Sequence, residues 1–418
     1  MSASELLLGL LVLAYFGGIL VGDRTIRGFG LPSGAEYILL GFVVGPRALG
    51  LVQSTLIDAF TPIVIVGSAW LALVAGIGYL QVGARRVHLG RALAGVAMSA
   101  LVGAGIGSAV YFSAALFSSL PHADRLVLAG SAACVSCATT RHAVRWVVER
   151  HGAKGKTADA IADYARASVL APALALALIF GMAPGDGAAS LSIPSRVGVT
   201  VIVGVVLGLV AALLLGREFR RDESWGILLG TSLLAMGIAG RLGLSAVSTT
   251  FFLGLTVALV SPHRSEVKAM TAPTEKPVML PVALLAGASV HPQGAPYLAA
   301  LCVVGIVARL IMELLRGALV NLFVPRTRPA GPLLGLGMLT TGAVSLAAAV
   351  ALELRLRPDL GASVLGYAVA SLLVGELLGP ILLRRTLLRV GDIIPGMQQT
   401  PPPPSVAPPP VRPSSEVR

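Results

Sequence analysis

Long apolar segments recur along almost the whole chain, and they restrict its fold more than any other feature. A helix needs about 20 mainly apolar residues to cross the hydrocarbon core of a bilayer. Only 12% of the 418 residues are charged, against about 25% in soluble domains. We therefore predict an all-α integral membrane protein with about thirteen transmembrane helices. The apolar windows, numbered spans 1 to 13, are 5–22, 33–53, 59–81, 92–118, 125–148, 157–182, 196–215, 225–240, 244–261, 276–290, 295–322, 332–352 and 361–383.

Basic residues are distributed unevenly between the loops on the two sides. The loops after odd-numbered spans, together with the C-terminal tail, carry 22 Lys and Arg, and the other loops carry 6. Because cytoplasmic loops are enriched in these residues, we predict a multi-pass protein of the cell inner (plasma) membrane, with its N-terminus outside and its C-terminus in the cytoplasm. The net charge of +12 is then a signal of topology, and we expect lipid but no nucleic acid as a partner.

Two similar polar stretches interrupt spans 5 and 12. Thr139-Thr140 in the first and Thr340-Thr341 in the second are each followed closely by Ala-Val. Paired interruptions in the two halves of a chain point to a binding site at the bilayer midplane. We predict a transmembrane domain over 1–394 with two inverted six-helix repeats, about 5–182 and 225–390, each of which is broken at one of these stretches. The proline-rich tail, 395–418, is predicted to be disordered and cytoplasmic.

Ionisable side chains occur inside several spans, where they are costly and mark functional sites. Arg309 and Glu313 are four residues apart and share a helix face. They predict either an intrahelical ion pair or a site in which Arg309 balances the substrate charge and Glu313 carries a proton. Asp163 and Arg166 repeat this arrangement on span 6. They are either part of the same site or anchors near the membrane surface.

Further candidates lie at the two interruptions. Arg141 is expected to contact the substrate or to bind the carbonyl groups exposed by the break, and the adjacent His142, which titrates near neutral pH, is either a proton relay or a packing residue. Hydroxyl groups in these segments and in span 6 are expected to bind an ion or substrate: they belong to Ser136, Thr139, Thr140, Ser168, Thr340 and Thr341. For the four threonines the alternative is that they bond the backbone freed by the breaks.

Motifs of soluble enzymes do not occur in the sequence. It contains no phosphate-binding glycine-rich loop, no zinc motif of the HExxH type and no nucleophile elbow. We therefore predict that the protein is not an enzyme and that it binds neither a cofactor nor a metal cofactor.

Four stretches resemble the monovalent cation:proton antiporters of the Kef and bacterial sodium/proton exchanger type. They are Leu31-Pro32 with Leu40–Val52, Leu244–Leu255, Leu280–Ala288 and Gly335–Leu346. The resemblance implies a homodimer of helical bundles, each with two broken, crossing helices. It also implies that the protein exchanges a monovalent cation, Na⁺ or K⁺, for protons by alternating access. In that case spans 3–6 and 10–13 would form a core that moves against spans 1, 2, 8 and 9.

The sequence departs from this family at its acidic positions. The family carries one or two adjacent carboxylates on the span after the first broken helix, and that position falls near Ala167-Ser168 in this chain. The nearest carboxylate, Asp163, lies one turn earlier. The family's acidic residue at the end of the third span is replaced by Gly76–Tyr79, whereas its basic residue on span 11 matches Arg309.

These departures leave two alternatives open. A core containing Arg141, Arg166 and Arg309 would attract an anion or an organic acid, so the same fold would carry a different substrate. Alternatively, the protein would be a non-transporting relative that acts as a sensor or scaffold, with the proline-rich tail as its output.

Overall fold

The computed structural model describes residues 34–79, 81–82, 85–86, 89–183, 192–216, 221–290, 298–323 and 325–393. Predicted span 1 and the predicted tail lie outside these ranges. Each of the other twelve spans is helical, which confirms the prediction of an all-α membrane protein. Within the described ranges, the only strands are a two-residue hairpin that pairs Gln81–Val82 with Arg85–Arg86. Six helical segments are long and apolar enough to cross a bilayer, and one of them, Thr157–Met182, includes both helices of span 6.

Nine spans are continuous helices. In the order of spans 2, 3, 4, 7, 8, 9, 10, 11 and 13, they are Ala35–Val44, Ser54–Ile77, Leu89–Phe117, Ile193–Leu215, Arg221–Arg241, Ala246–Val260, Glu275–Ala288, Leu298–Phe323 and Pro358–Val390. A short helix, Arg264–Thr271, and a 3₁₀ turn, Ala272–Thr274, connect spans 9 and 10, and a second 3₁₀ segment, Pro325–Ala330, follows span 11.

Spans 5 and 12 are broken, as predicted. Span 5 consists of His122–Ser136 (5a) and Arg141–Arg150 (5b), and span 12 of Leu333–Leu336 (12a) and Ala343–Arg355 (12b). Threonine side chains at both breaks compete with the helix for backbone hydrogen bonds. This competition favours a break at these points.

Span 6 is also broken, which we did not predict. It consists of Lys156–Ala167 (6a) and Leu170–Met182 (6b). Pro172 has no amide hydrogen to donate to the carbonyl of Ser168, and its ring clashes with that carbonyl. The amide of Ala171 bonds that carbonyl over a distance of 3.2 Å instead. The chain therefore tightens at Ser168 and begins a new helix.

Spans 2, 3, 9 and 10 pack through glycines in a pattern that repeats between the two halves of the chain. In each of four contacts, a Cβ atom on the glycine would lie within 2.3 Å of a carbonyl oxygen on the facing helix: Gly41 on Leu284, Gly254 on Leu73, Gly76 on Phe251 and Gly287 on Ile38. Span 2 corresponds to span 9 in the other repeat, and span 3 corresponds to span 10. The contact between spans 2 and 10 therefore has its counterpart in the contact between spans 9 and 3. Corresponding spans differ by an odd number and so run in opposite directions, as an inverted repeat requires.

The helices form two bundles. Spans 2, 3, 7, 8, 9 and 10 make up the glycine bundle, and spans 4, 5, 6, 11, 12 and 13 make up the crossing bundle. The expected grouping of spans 3 and 10 with the core is therefore wrong, because their glycines fix them closely to spans 9 and 2. Span 12b lies along span 3 where the two bundles meet.

One end of the helices carries the segments after spans 5 and 9 and the end of span 13, and we call it the basic face. The amide of Lys154 donates to the carbonyl of Asp392 over 3.0 Å. The carboxylate of Asp392 accepts a hydrogen bond of 2.8 Å from the amide of Ala158, in the first turn of span 6a. The carboxylate thus lies at the positive end of that helix, where a negative charge is favourable.

Candidate functional site

The two broken helices meet at their breaks. The backbone amide of Thr140 donates to the carbonyl of Thr340 over 2.8 Å, and the hydroxyl of Thr139 donates to the carbonyl of Met338 over 2.8 Å. Thr341 lies beside this crossing and is buried. Backbone groups freed by a break need partners within the protein because lipid offers none. The predicted Thr-Thr pairs therefore supply these partners to one another.

Ser168, at the position where the family carries a carboxylate, fastens the break in span 6 to the break in span 5. Its hydroxyl oxygen accepts a hydrogen bond from the amide of Thr139 over 3.2 Å. The hydroxyl itself donates to the carbonyl of Ala165 over 2.8 Å. Ser168 thus bonds the freed backbone, a role that the sequence had suggested for the threonines, and its predicted ion binding stays a prediction.

Arg309 is fully buried, but its guanidinium points to backbone groups on spans 12 and 13. One nitrogen, Nη1, donates to the carbonyl of Ser371 over 3.1 Å and to the hydroxyl of the same residue. The other, Nη2, donates to the carbonyl of Leu339. The predicted ion pair between Arg309 and Glu313 is therefore wrong, because these acceptors hold the guanidinium away from the next turn of its own helix.

Arg316 is the partner of Glu313, and sequence reasoning missed it. The two side chains form an ion pair that is almost completely buried. Nη2 of Arg316 also donates to the hydroxyl of Thr139 over 3.0 Å and to the carbonyl of Met338 over 3.3 Å. Its guanidinium lies over the ring of Tyr164, 5.5 Å from the ring centre. The spacing of three residues from Glu313 was the available signal, since such positions also share a helix face.

The two arginines together bind backbone carbonyls in the break that follows half-helix 12a. Arg309 bonds the carbonyl of Leu339, and Arg316 bonds that of Met338. Carbonyls that a break exposes inside the membrane need partners within the protein. Arg309 and Arg316 thereby bind the exposed carbonyl groups, a role that the sequence had suggested for Arg141.

A second missed residue is Tyr367 on span 13. Its hydroxyl accepts a hydrogen bond of 2.9 Å from the hydroxyl of Ser136, the last residue of half-helix 5a. Gly305 on span 11 makes room for the ring, since a Cβ atom there would lie 2.4 Å from a ring carbon of Tyr367. The predicted residue Ser136 therefore fixes the end of half-helix 5a to span 13.

Asp163 and Arg166 occupy different surroundings, although both lie on half-helix 6a. Asp163 is buried, which excludes a role as an anchor extended to the membrane surface. It is adjacent to Tyr164, the ring that faces Arg316. Arg166 is partly exposed, and within the described part of the chain its buried Nη1 has no hydrogen-bond partner.

Arg141, the first residue of half-helix 5b, forms an ion pair with Glu275, the first residue of span 10. The distance from Nη2 to Oε2 is 2.8 Å. Arg141 thus faces the glycine bundle and does not bind the carbonyls of the broken helices. The side chain of His142 lies outside the described part, so its predicted role stays a prediction.

Two cavities approach the region where the bundles meet from opposite ends of spans 3 and 10. The smaller, of about 30 Å³, lies toward the basic face and reaches the crossing; its lining includes Thr139, Thr140, Arg141, Arg166, Glu275 and Ser345. The larger, of about 270 Å³, is lined at the other end by residues that include Arg47, Ser54, Asp58, Ser289 and Glu353. The crossing therefore lies beside the narrower of the two cavities.

Two hydroxyl oxygens at the break in span 12 have no hydrogen-bond partner among the described residues. They are Oγ1 of Thr340 and Oγ of Ser345, and both residues are buried. Ser345 lines the smaller cavity. Buried polar groups are nearly always bonded, so these oxygens are available to a ligand.

Half-helices that meet inside a bundle, beside buried charges and between two halves of opposite orientation, define an inverted-repeat membrane transporter fold. The chain belongs to the sodium/hydrogen exchanger family, because the model of the sodium/hydrogen exchanger transmembrane region matches residues 11–385. This match confirms the resemblance found in the sequence. No curated protein sequence matches the chain.

Solved structures support the same fold. A structure of the sodium proton antiporter MjNhaP1 from Methanocaldococcus jannaschii at pH 8 matches with a TM-score of 0.70 and 14% identity, covering 93% of this chain and 99% of the other. An electron-microscopy structure of the same antiporter matches with a TM-score of 0.66 and 15% identity, covering 94% and 99%. At this level of identity the likeness establishes the architecture alone.

Proposed function

We propose that the protein is a secondary active transporter that exchanges a monovalent cation for protons by alternating access. The observation that carries the proposal is the pair of unbonded, buried hydroxyl oxygens of Thr340 and Ser345 at the break in span 12. Broken helices in transporters of this kind coordinate cations through freed backbone and nearby oxygens. Membership of the sodium/hydrogen exchanger family supports the same substrate class.

Glu313 and Asp163 are the carboxylates that we assign to proton coupling. Both are buried in the crossing bundle. Glu313 is paired with Arg316, which also bonds Thr139 at the crossing. Protonation of Glu313 would remove the negative charge that holds Arg316 in place. Because Arg316 also bonds Thr139, uptake of a proton would alter the contacts at the crossing. Asp163 is likewise buried, on half-helix 6a, and it directly precedes in sequence the tyrosine that Arg316 covers.

The orientation in the membrane belongs to the same proposal. The basic face carries the loops that are rich in Lys and Arg, so we assign it to the cytoplasm by the positive-inside rule. With thirteen spans, this assignment puts the N-terminus outside, and we propose the cell inner (plasma) membrane as the location. A homodimer is proposed on the family resemblance, and no enzymatic activity is proposed.

One observation favours a second candidate, the transport of an anion or organic acid. Nη1 of Arg166 is buried without a hydrogen-bond partner in the described structure, and Arg166 lines the smaller cavity together with Arg141. Against this candidate, Arg309, Arg316 and Arg141 are each bonded to protein groups. Arg166 would have to bind the anion largely alone.

Flux measurements in liposomes separate the candidates. With an outward proton gradient and a pH-sensitive dye inside, added Na⁺ or K⁺ should drive proton movement through the wild-type protein. Glu313→Gln should abolish this movement, whereas Glu266→Gln, which changes an exposed carboxylate on Arg264–Thr271, should leave it unchanged. Anion uptake without cation-driven proton movement would establish the second candidate. Inertness in both assays would favour the sensor or scaffold.

A further inference from the structure

The ion pair between Arg141 and Glu275 connects the two bundles over the cavity at the basic face. Arg141 begins half-helix 5b in the crossing bundle, and Glu275 begins span 10 in the glycine bundle. Their side chains are 20% and 8% exposed, and Nη2 lies 2.8 Å from Oε2. Charged hydrogen bonds of this length are stronger than neutral ones. The pair is therefore a strong contact where the bundles would have to separate.

The guanidinium of Arg141 also packs against Gly78, which lies just after span 3. A Cβ atom on Gly78 would lie 1.9 Å from Nη1 and 2.9 Å from Cζ of Arg141. The guanidinium thus packs directly on the backbone of one helix of the glycine bundle while it bonds the carboxylate of another. Any side chain larger than hydrogen at position 78 would displace it.

The sizes of the two cavities indicate the consequence of this contact. On the side of the pair, the cavity measures about 30 Å³, roughly the space of a single water molecule. At the opposite ends of spans 3 and 10, the cavity measures about 270 Å³. The cavity beside the crossing is therefore narrow on the side that Arg141 and Glu275 bridge, and the wider cavity lies at the opposite ends of these spans.

We propose that Arg141 and Glu275, packed on Gly78, form a gate that closes the path from the crossing to the basic face. The proposal rests on the alternating access proposed above. When the bundles separate, Arg141 leaves with the crossing bundle, and Glu275 stays on span 10 with its carboxylate toward the path.

This arrangement changes the charge that an entering cation meets. With the gate closed, Arg141, Arg166 and Glu275 line the cavity, and Arg141 neutralises the Glu275 carboxylate. Lys268 and Arg145 lie nearby on the same face. With the gate open, the Arg141 guanidinium leaves the cavity and Glu275 stays, so an entering cation meets less positive charge on that side. Glu275 is thus a gating residue that also favours cations over anions.

Access to a cysteine in the cavity tests the gate without any measurement of transport. Ala343, which lines the smaller cavity, is changed to Cys in a background in which Cys134, Cys137 and Cys302 are replaced by serine. A charged, membrane-impermeant thiol reagent is then applied to the basic face of membrane vesicles of known orientation. The measured quantity is the rate of labelling at position 343.

Glu275→Gln and Gly78→Ala should each raise this rate about tenfold. A charge-assisted bond of this kind shifts the equilibrium between the open and the closed gate toward the closed state by about that factor. Gly78→Ala keeps both charges and only displaces the guanidinium, so it separates gating from a general effect of charge. Exchanging the charges, with Arg141→Glu and Glu275→Arg together, should restore slow labelling. Glu266→Gln, an exposed carboxylate near the same face, should have no effect.

Unchanged labelling in both Glu275→Gln and Gly78→Ala would overturn the gate, whatever the flux assay shows. Fast labelling in these variants of a protein that moves no cation would instead uphold the gate and refute the proposed exchange. The two proposals therefore fail through different measurements.

Discussion

The amide of Thr140 donates to the carbonyl of Thr340 over 2.8 Å, and this bond joins the helix break of one repeat to that of the other. Each break leaves backbone groups that neither helix nor lipid can satisfy. The two breaks therefore depend on each other, and side chains that bridge them act on both repeats. Arg316 is such a side chain, since it bonds Thr139 from one repeat and Met338 from the other.

Arg316→Met should destabilise the protein by about 3–5 kcal/mol, because it leaves the buried carboxylate of Glu313 without its cation. Thermal or denaturant unfolding of the purified protein in detergent measures this loss. The matched control is Arg357→Met, which removes a side chain that is 55% exposed and paired with Asp124 over 3.0 Å. Exposed pairs contribute about 1 kcal/mol or less.

A second variant separates the ion pair from the other contacts of Arg316. Combining Arg316→Met with Glu313→Gln removes the unpaired charge and should recover part of the lost stability. If the double variant is as unstable as Arg316→Met alone, the loss comes from the bonds to Thr139 and Met338, and the ion pair is not its cause.

Gly41→Ala should lower the stability by about 1–3 kcal/mol, the usual cost of overpacking. A Cβ atom there would lie 1.9 Å from the carbonyl oxygen of Leu284, so spans 2 and 10 would have to separate. Gly230→Ala on span 8 is the control, since no described atom beyond its own stretch of helix lies within 4 Å of the new Cβ. That change should be neutral or slightly stabilising, because Ala favours a helix more than Gly does. Equal effects at both positions would contradict the close packing described for the glycine bundle.

The sequence predicted the helices and the two crossing breaks because both depend on local features. Apolar length determines a span, and the repeated Thr-Thr pairs mark the breaks. The break in span 6 also has a local cause, Pro172, but the apolar window 157–182 runs through it without a change in composition. A proline inside such a window is often tolerated as a kink, so its presence alone did not predict two helices.

The partners of charged side chains were harder to predict. Positions 309, 313 and 316 share one helix face, and the sequence cannot show which acceptors each guanidinium reaches. Carbonyls on spans 12 and 13 bind Arg309 and leave Glu313 to Arg316. The partner of Arg141 was missed for the same reason, since Glu275 is distant in sequence and meets it only after the bundles pack.

Lys268, on the short helix Arg264–Thr271, should titrate far below an ordinary lysine. Burial, and then the positive charges of Arg166, Arg141 and Arg145, lower its pKa to about 8 from 10.5. The neutral amine is the form that reacts with acylating reagents, so its acylation, followed by mass spectrometry, should reach half its maximum near pH 8. Arg166→Gln removes the largest of these repulsions and should move that midpoint to higher pH.

The lowered pKa of Lys268 also predicts how the stability of the protein changes with pH. A lysine whose pKa is lowered in the folded state costs stability while it is charged there. That cost should decline as the pH rises through about 8, and stability should increase until the unfolded-state lysine also loses its proton, near pH 10.4. Lys268→Gln should remove this increase. A midpoint of acylation above pH 10 in the wild type would contradict the proximity of the three arginines.

Thr340→Val tests the cation site with a nearly isosteric change. Oγ1 of Thr340 has no hydrogen-bond partner in the structure described, so its removal should cost little stability, whereas loss of a ligand should weaken cation binding. We expect the cation concentration for half-maximal proton movement to rise about tenfold, which corresponds to about 1.4 kcal/mol of binding free energy. Thr340→Ser, which keeps the oxygen, should behave like the wild type.

Thr256→Val is the matched control for this change. Thr256 is also buried, but it lies on span 9, and its hydroxyl donates to the carbonyl of Phe252 over 2.8 Å. Its loss should therefore leave the cation dependence unaltered, even if it lowers the stability by about 1 kcal/mol through the lost bond. Should Thr340→Val show the wild-type cation dependence, the unbonded oxygen is not a ligand, and the cation must bind elsewhere along the crossing. A rise in half-maximal concentration in Thr340→Val alone would place the bound cation at the break in span 12.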